Sequence, residues 1–397
     1  TYMTSDEKIN LSVEIAAREK RLMEPINYDS GYSLYVGIPF CPTTCLYCSF
    51  TSFPVSRFGD RMRAYLDALY KELAFVAKHH RDKKLTTIYI GGGTPSSLND
   101  EQLEWLMDII KPYISSETKE VSIEVNPESI DYYKLDILKR GGVSRLSIGV
   151  ETFNDILLKK INRQHTTIQV ERIIDYARKI GFNNISIDLM YGLPNQTITD
   201  IKNDLAKVRQ LPIEHISYYS LILEDHTVLK NLNYQPLDEE VESKITQLIE
   251  ESLEQIGFHK YEISNFAKTG YESLHNLAYW QYDNYYGIGV GASGKIDDCL
   301  IEHNRNLNAY LRRQNTITKM INSKEETMFN HLMMSLRLVK GLDLKEFEKR
   351  YGLRAVDVYQ TAIDKHLKMK TLVIENDYLH ATSESIKLLN EILIDFL

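Results

Sequence analysis

The sequence predicts an α/β fold, a partial (β/α)6 barrel closed by a C-terminal, mainly helical domain of winged-helix-like type. Three observations carry this. Six short β-branched or apolar runs alternate with segments of helical period between residues 31 and 225, and such alternation means crossover units and a parallel sheet. Chemistry-bearing residues gather at the ends of those runs, where barrels of this kind build their sites. The rhythm fades after residue 225, and helical spacing returns after residue 321. Periodicity alone leaves a doubly wound sheet open as the alternative.

Residues 1–30 are polar, with Ile9, Val13 and Ala16 spaced for a helical extension packed on the main domain. The barrel is expected over residues 31–225. Its runs are 33–38, 86–91, 120–125, 143–150, 184–191 and 214–221. Helical faces join them: Met62, Tyr65, Leu66, Leu69, Leu73 and Val76, then Leu103, Leu106, Met107 and Ile110. Later come Ile173, Ile174, Ala177 and Ile180, then Ile201, Leu205 and Val208. Spacings of three and four put each set on one side of a helix. Residues 226–320 read as a connecting segment. A helix through Ile245, Leu248, Ile249 and Leu253 leads there into a loop-rich stretch, 259–295. Residues 321–397 read as a closing domain, with helical spacing at Met328, Leu332 and Leu336 and a stop at Gly341.

Composition narrows the function classes. Of 397 residues, 43% are apolar and 26% charged, as in ordinary globular chains. Lys plus Arg number 47 against 55 for Asp plus Glu, a net charge of −8. That disfavours nonspecific nucleic-acid binding and anionic membranes. No run of about 18 apolar residues is available to span a bilayer. The opening residues TYMTSDEKINLS show no basic-then-apolar signal. A cytoplasmic location is the expectation.

Four cysteines occur, and Cys41, Cys45 and Cys48 fall within eight residues. A disulfide framework would spread pairs along a short secreted chain. The segment GIPFCPTTCLYCSF instead offers three thiolates in one loop. Three thiolates can hold three corners of a cubane 4Fe–4S cluster, leaving the fourth iron open. An open iron can take the amino and carboxylate groups of S-adenosylmethionine, whose reductive cleavage supplies a 5′-deoxyadenosyl radical. A structural zinc site is the plainer alternative. It usually needs a second ligand pair, and Cys299 stands alone and far away.

Five consecutive motifs then appear in order: LYVGIPFCPTTCLYCSF, YIGGGTPS, SIEVNPESI, SIGVETFND and SIDLMYGLPNQT. Together they resemble the HemN/HemW family of the radical S-adenosylmethionine superfamily, over roughly residues 34–353. That family includes oxygen-independent coproporphyrinogen III dehydrogenases and heme chaperones. The resemblance implies a 4Fe–4S cluster on Cys41, Cys45 and Cys48, and S-adenosylmethionine in a cradle of named residues. Gly92, Gly93 and Thr94 would hold its amino-acid part, and Tyr35 and Tyr47 would lie near the cluster. Glu124, Glu151, Arg163 and Asp188 would complete the cradle. Glu151 stands where the family usually has Gln, and a carboxylate cannot donate a hydrogen bond.

His275, in HNLAYW, precedes the glycine turn YGIGVGA. This pair resembles the heme chaperones and makes His275 a candidate heme ligand, though Ser293 stands where those chains often carry His. Absent the family, His275 reads first as a structural donor. A heme chaperone that passes heme to target proteins ranks first. A coproporphyrinogen dehydrogenase that converts propionates to vinyls ranks second. Third is another radical reaction on a tetrapyrrole, such as anaerobic heme breakdown. Whether the chain is an enzyme is left open. The implied partners are a tetrapyrrole, an electron donor such as flavodoxin or ferredoxin, and a heme-accepting protein. Neither nucleic acid nor an integral membrane segment is expected.

Overall fold

The computed structural model describes residues 31–397 apart from 226, 233, 315 and 316. The helical extension expected over residues 1–30 lies outside the described residues.

Six parallel strands form the centre. They are β1 (Gly31–Ile38), β2 (Lys84–Gly92), β3 (Glu120–Val125), β4 (Arg145–Glu151), β5 (Ile185–Tyr191) and β6 (His215–Ser220). They neighbour one another in chain order without a reversal. With right-handed crossovers, every connecting helix then falls on the same face. A doubly wound sheet would need a reversal, so the partial barrel is the fold. The connecting helices are α1 (Met62–His79), α2 (Asp100–Ile110), α3 (Tyr132–Arg140), α4 (Thr167–Lys179) and α5 (Ile198–Val208). Their starts are written locally. Asn99 with Gln102, and Thr166 with Gln169, form reciprocal capping boxes on α2 and α4.

Alternation sorts the strand side chains. On β1, Leu34, Val36 and Ile38 are buried with Tyr65, Leu66 and Leu69 of α1. Ser33, Tyr35 and Gly37 therefore face the concave side, which is polar along its whole width. The β4–β5 register shifts between Gly149 and Glu151, and Glu151 takes a φ of 65°. This bulge turns the Glu151 side chain at the strand's end.

The stretch 259–321 is more structured than its sequence suggests. After α6 (Glu239–Glu254), β7 (His259–Lys260) and β8 (Asn265–Ala267) extend one edge, with β8 antiparallel to β6. Next come α7 (Leu274–Trp280) and β9 (Tyr285–Ile288), and β9 pairs parallel with β1 from Ser33↔Tyr285 to Val36↔Ile288. Strands β10 (Ser293–Ile296), β11 (Cys299–His303) and β12 (Ile317–Ile321) continue that edge. Strands of two to five residues are too short for a period of two to be read from sequence. They keep β1 and β6 apart, so the barrel stays open.

A separate apolar core organises the C-terminal part, built on Met328, Leu332, Leu336, Phe347, Ile363, Leu372 and Leu379. It comprises α8 (Lys324–Ser335), β13 (Leu342–Asp343), α9 (Leu344–Tyr351), α10 (Gln360–Met369), β14 (Leu372–Glu375), β15 (Tyr378–Ala381) and α11 (Leu389–Ile394). The strands pair antiparallel in the order β13–β15–β14. Arg350 of α9 joins this part to the barrel. It pairs with Asp283 Oδ1 at 2.5 Å and donates to the carbonyls of Gln281 and Tyr282.

Candidate functional site

The cysteine loop follows β1 and is tied down by backbone. Phe40–Cys41 pairs with Phe53–Pro54 across the loop. Leu46 N donates to Ile161 O, Leu229 N donates to Leu46 O, and Asn162 Nδ2 donates to Thr44 O at 2.7 Å. All three thiols are free and partly buried. Burial pushes each of them up, Cys41 to about 11, with Arg163 opposing the rise at Cys45. Thiols held protonated this way would release protons on taking a metal. Thr94 Oγ1 lies 3.5 Å from Cys41 Sγ, and Arg163 Nη1 lies 3.7 Å from Cys45 Sγ. Among the described residues no three His, Cys, Asp or Glu side chains converge on a single-ion position.

The end of β2 packs directly on this loop. Gly93 N donates to Ile38 O and Thr94 N to Phe40 O. A Cβ on Gly93 would stand 2.8 Å from Phe40 O and 3.0 Å from Cys41 Sγ. Glycine is therefore required there for close approach of backbone to backbone. Gly92 N donates to Glu124 Oε2 at 3.2 Å, and Tyr89 Oη to Glu124 Oε1 at 2.9 Å. Glu124 is nonetheless pushed up to about 7 by burial. Asp188 accepts from Ser147 Oγ at 3.2 Å and is likewise raised by burial. Neither carboxylate forms an ion pair among the described residues. Buried acids without a paired cation favour their neutral form, and such groups cluster at functional sites.

Beside Cys45 sits a different arrangement. Glu151 and Arg163 are buried together at 3.4 Å, and Arg163 also donates to Gly149 O. Tyr47 hydrogen-bonds to Glu151. The guanidinium expected to meet a cofactor carboxylate is thus engaged by a protein carboxylate.

A cavity of about 930 Å³ opens against the cysteine loop. It brings together Tyr35, Cys48, Gly92, Glu124 and His275 of the expected residues. Cys41, Cys45, Tyr47, Gly93, Thr94, Glu151, Arg163 and Asp188 are not on its wall. Tyr35 stacks on Tyr89 at 6.2 Å, and Tyr89 stacks on His275 at 5.1 Å. His275 is fully buried. Its Nδ1 bonds Thr87 Oγ1 at 2.7 Å and its Nε2 bonds Tyr279 Oη at 2.8 Å. Burial holds its ring neutral, near 3. Both nitrogens are spent on the fold, so iron ligation by His275 would require breaking one of these bonds. This counts against the heme-ligand expectation.

Much of the wall was not expected from the sequence, including Tyr89, Phe50 and Arg305. Tyr89 was legible from alternation, two residues before Gly91 on the inward side of β2. Phe50 and Arg305 carry no local signal, because loops alone bring them to the cavity.

The residues present fit the cofactors expected of them. Three thiols share one anchored loop, and beside it lies a cavity of mixed polar and apolar lining, of the size that takes small molecules. The chain matches the Radical SAM superfamily over residues 35–208 and the HemN C-terminal domain over residues 322–386. It is 36% identical to the heme chaperone HemW of Lactococcus lactis, over 92% of this chain and 97% of that one. It is 39% identical to the heme chaperone HemW of Bacillus subtilis, over 86% and 92%. For the Escherichia coli protein of that name the identity is 30%, over 92% and 98%. Among solved structures, coproporphyrinogen III oxidase (HemN) from Escherichia coli superposes with a TM-score of 0.80, covering 96% of this chain and 93% of that one at 23% identity. That likeness bears on the fold alone. Among the described residues no helix is long and apolar enough to cross a membrane. The superfamily implies a 4Fe–4S cluster and S-adenosylmethionine. The chain belongs to the HemN/HemW family of the radical S-adenosylmethionine superfamily.

Proposed function

We propose that this chain is a heme chaperone, binding heme in the cavity beside its cysteine loop and passing it to a target protein. The observation that carries the reading is its identity of 30–39%, over nearly full length, to proteins named heme chaperone HemW. The cavity supports it. Tyr35, Tyr89, Tyr279 and Phe50 give it aromatic surface for a flat macrocycle.

On this reading Cys41, Cys45 and Cys48 hold the cluster, and S-adenosylmethionine is received at the same end of the barrel. Bound there, the pair supplies one-electron reductive chemistry. Glu124 on the wall would accept hydrogen bonds from the cofactor. Gly93 and Thr94 act one step back, by fixing the Cys41 segment. The Glu151–Arg163 pair braces Cys45, and Asp188 keeps the concave face polar. An electron donor such as flavodoxin or ferredoxin would serve the cluster.

The test is an anaerobic titration of cluster-reconstituted protein with hemin, followed by mixing with heme-free acceptor proteins. Saturable binding of one equivalent and transfer to an acceptor are expected. Absence of binding, or protoporphyrinogen formed when coproporphyrinogen III, S-adenosylmethionine and reductant are supplied, would overturn the proposal in favour of a dehydrogenase.

A further inference from the structure

The glycine turn between β9 and β10 has so far no role beyond its sequence pattern. It forms one wall of the cavity through Val290, Gly291 and Ala292. The segment after β11 is locked onto it. Gly291 N donates to Asn304 O, and His303 N donates to Ala292 O at 2.8 Å. On the far side, Asn306 caps the short helix Leu307–Leu311. Arg305 is thus held between two fixed points. Its Cγ lies 3.6 Å from where a Cβ on Gly291 would sit, and Thr51 Oγ1 lies 3.2 Å from the same point. Gly291, at a φ of 72°, lets the arginine stem and the cysteine loop close up side by side.

Arg305 is exposed on the cavity wall. Among the described residues no hydrogen bond or ion pair engages its guanidinium. Among the described residues it is also the one Lys or Arg on that wall, whereas Glu124, Glu224 and Asp225 supply carboxylates. An unengaged guanidinium presents a planar fork that matches a carboxylate with two parallel hydrogen bonds. Glu224 and Asp225 repel a carboxylate from their part of the wall. Phe50, 74% exposed on the cysteine loop, offers the same cavity an apolar face.

We propose that Arg305 is the carboxylate anchor of the cavity, gripping a propionate of the bound tetrapyrrole and so fixing which edge of the macrocycle faces the glycine turn. The proposal rests on the heme reading above. Its occupant is amphipathic, with carboxylates on one edge and apolar groups on the other. The wall offers both chemistries, the Arg305 guanidinium and the aromatic surface of Phe50, Tyr35, Tyr89 and Tyr279. Arg305 is a specificity residue here, and its exposure means that replacing it leaves the packed core intact.

The experiment compares hemin with hemin dimethyl ester, which lacks the carboxylate charges, on cluster-reconstituted wild type and on Arg305→Ala and Arg305→Lys. Cluster absorbance equal to wild type serves as the folding control. Wild type is expected to bind hemin about tenfold more tightly than the ester, the scale of one charge-assisted contact. Arg305→Ala should lose that preference while keeping its affinity for the ester. Arg305→Lys should keep part of it. An Arg305→Ala protein that still prefers hemin overturns the anchor and leaves the heme reading standing. A wild type that binds neither compound overturns the heme reading, and the anchor with it.

Discussion

Two regions of this molecule bury carboxylates, and they partner them differently. At the junction between barrel and C-terminal part, Asp283 is buried and gripped by Arg350 at 2.5 Å, with Lys295 close enough to add to its field. On the concave face, Glu124 and Asp188 are buried with hydroxyl and amide partners and no ion pair among the described residues. A buried charge needs a partner or it neutralises. The junction supplies the partner from the chain, although burial still outweighs Arg350 and pushes Asp283 up to about 7. The concave face supplies no ion pair among the described residues but does supply the field of the buried Arg145, which opposes without cancelling the rise that burial causes at Glu124 and Asp188. Between the extremes lies Glu151, which the chain pairs with Arg163 beside Cys45. The difference is between a carboxylate clasped by an ion pair and carboxylates held by hydrogen bonds without one.

The largest expected effect falls at the cavity end. Cys45→Ala should abolish the cluster absorbance near ~400 nm after reconstitution, while urea unfolding of the C-terminal part stays as in wild type. Retained iron and sulfide in that variant would remove the cluster from this loop. Arg350→Ala should do the reverse. Leaving Asp283 buried without its partner should cost about 3 kcal/mol in chemical unfolding with cluster loading unchanged. A loss well under ~1 kcal/mol would mean that water reaches Asp283 and that the junction is not the clasp described.

A smaller effect is expected at Gly93→Ala. The added methyl crowds Phe40 O and Cys41 Sγ, so the segment must shift, at about 1–3 kcal/mol. Reduced cluster loading, measured as iron per chain, is the readout. Full loading would show that the Phe40–Cys41 segment has slack. The subtlest is the pH dependence of Glu124. Its folded value, about 7, lies above its ordinary 4.5 because of burial. The folded state therefore holds the proton more tightly than the unfolded state. Its contribution to stability is full below pH 4.5 and is lost as pH rises through 7. Wild type should lose stability over that window relative to Glu124→Gln, in urea midpoints of the ligand-free protein. Parallel pH curves for the two proteins would mean that the nearby Arg145 holds Glu124 ionised against the effect of burial.

Much of this was legible in the residues. The six central strands begin and end within two residues of the expected runs, because each is long, apolar on its outward side and bounded by turn residues. The cysteine triplet needed only its spacing. The cradle was less legible. Gly93 and Arg163 were expected to touch a cofactor, yet the first makes room for Phe40–Cys41 and the second is engaged by Glu151. Residue type told what each could bind; it did not tell which neighbour would bind it first. His275 shows the same limit, since Thr87 and Tyr279 occupy both of its nitrogens.

The sequence by itself determined the central strands, their connecting helices and the cysteine loop, because periodicity, caps and spacing are local properties; the strand order that excludes a doubly wound sheet came from the tertiary structure. Only the tertiary structure decided how residues 259–321 flank the barrel on both edges. It alone brought Arg305 to the wall that Tyr35 and Cys48 line, and left Glu124 buried without an ion pair among the described residues. Those outcomes depend on pairings between residues far apart in the chain, and a local pattern carries no record of them.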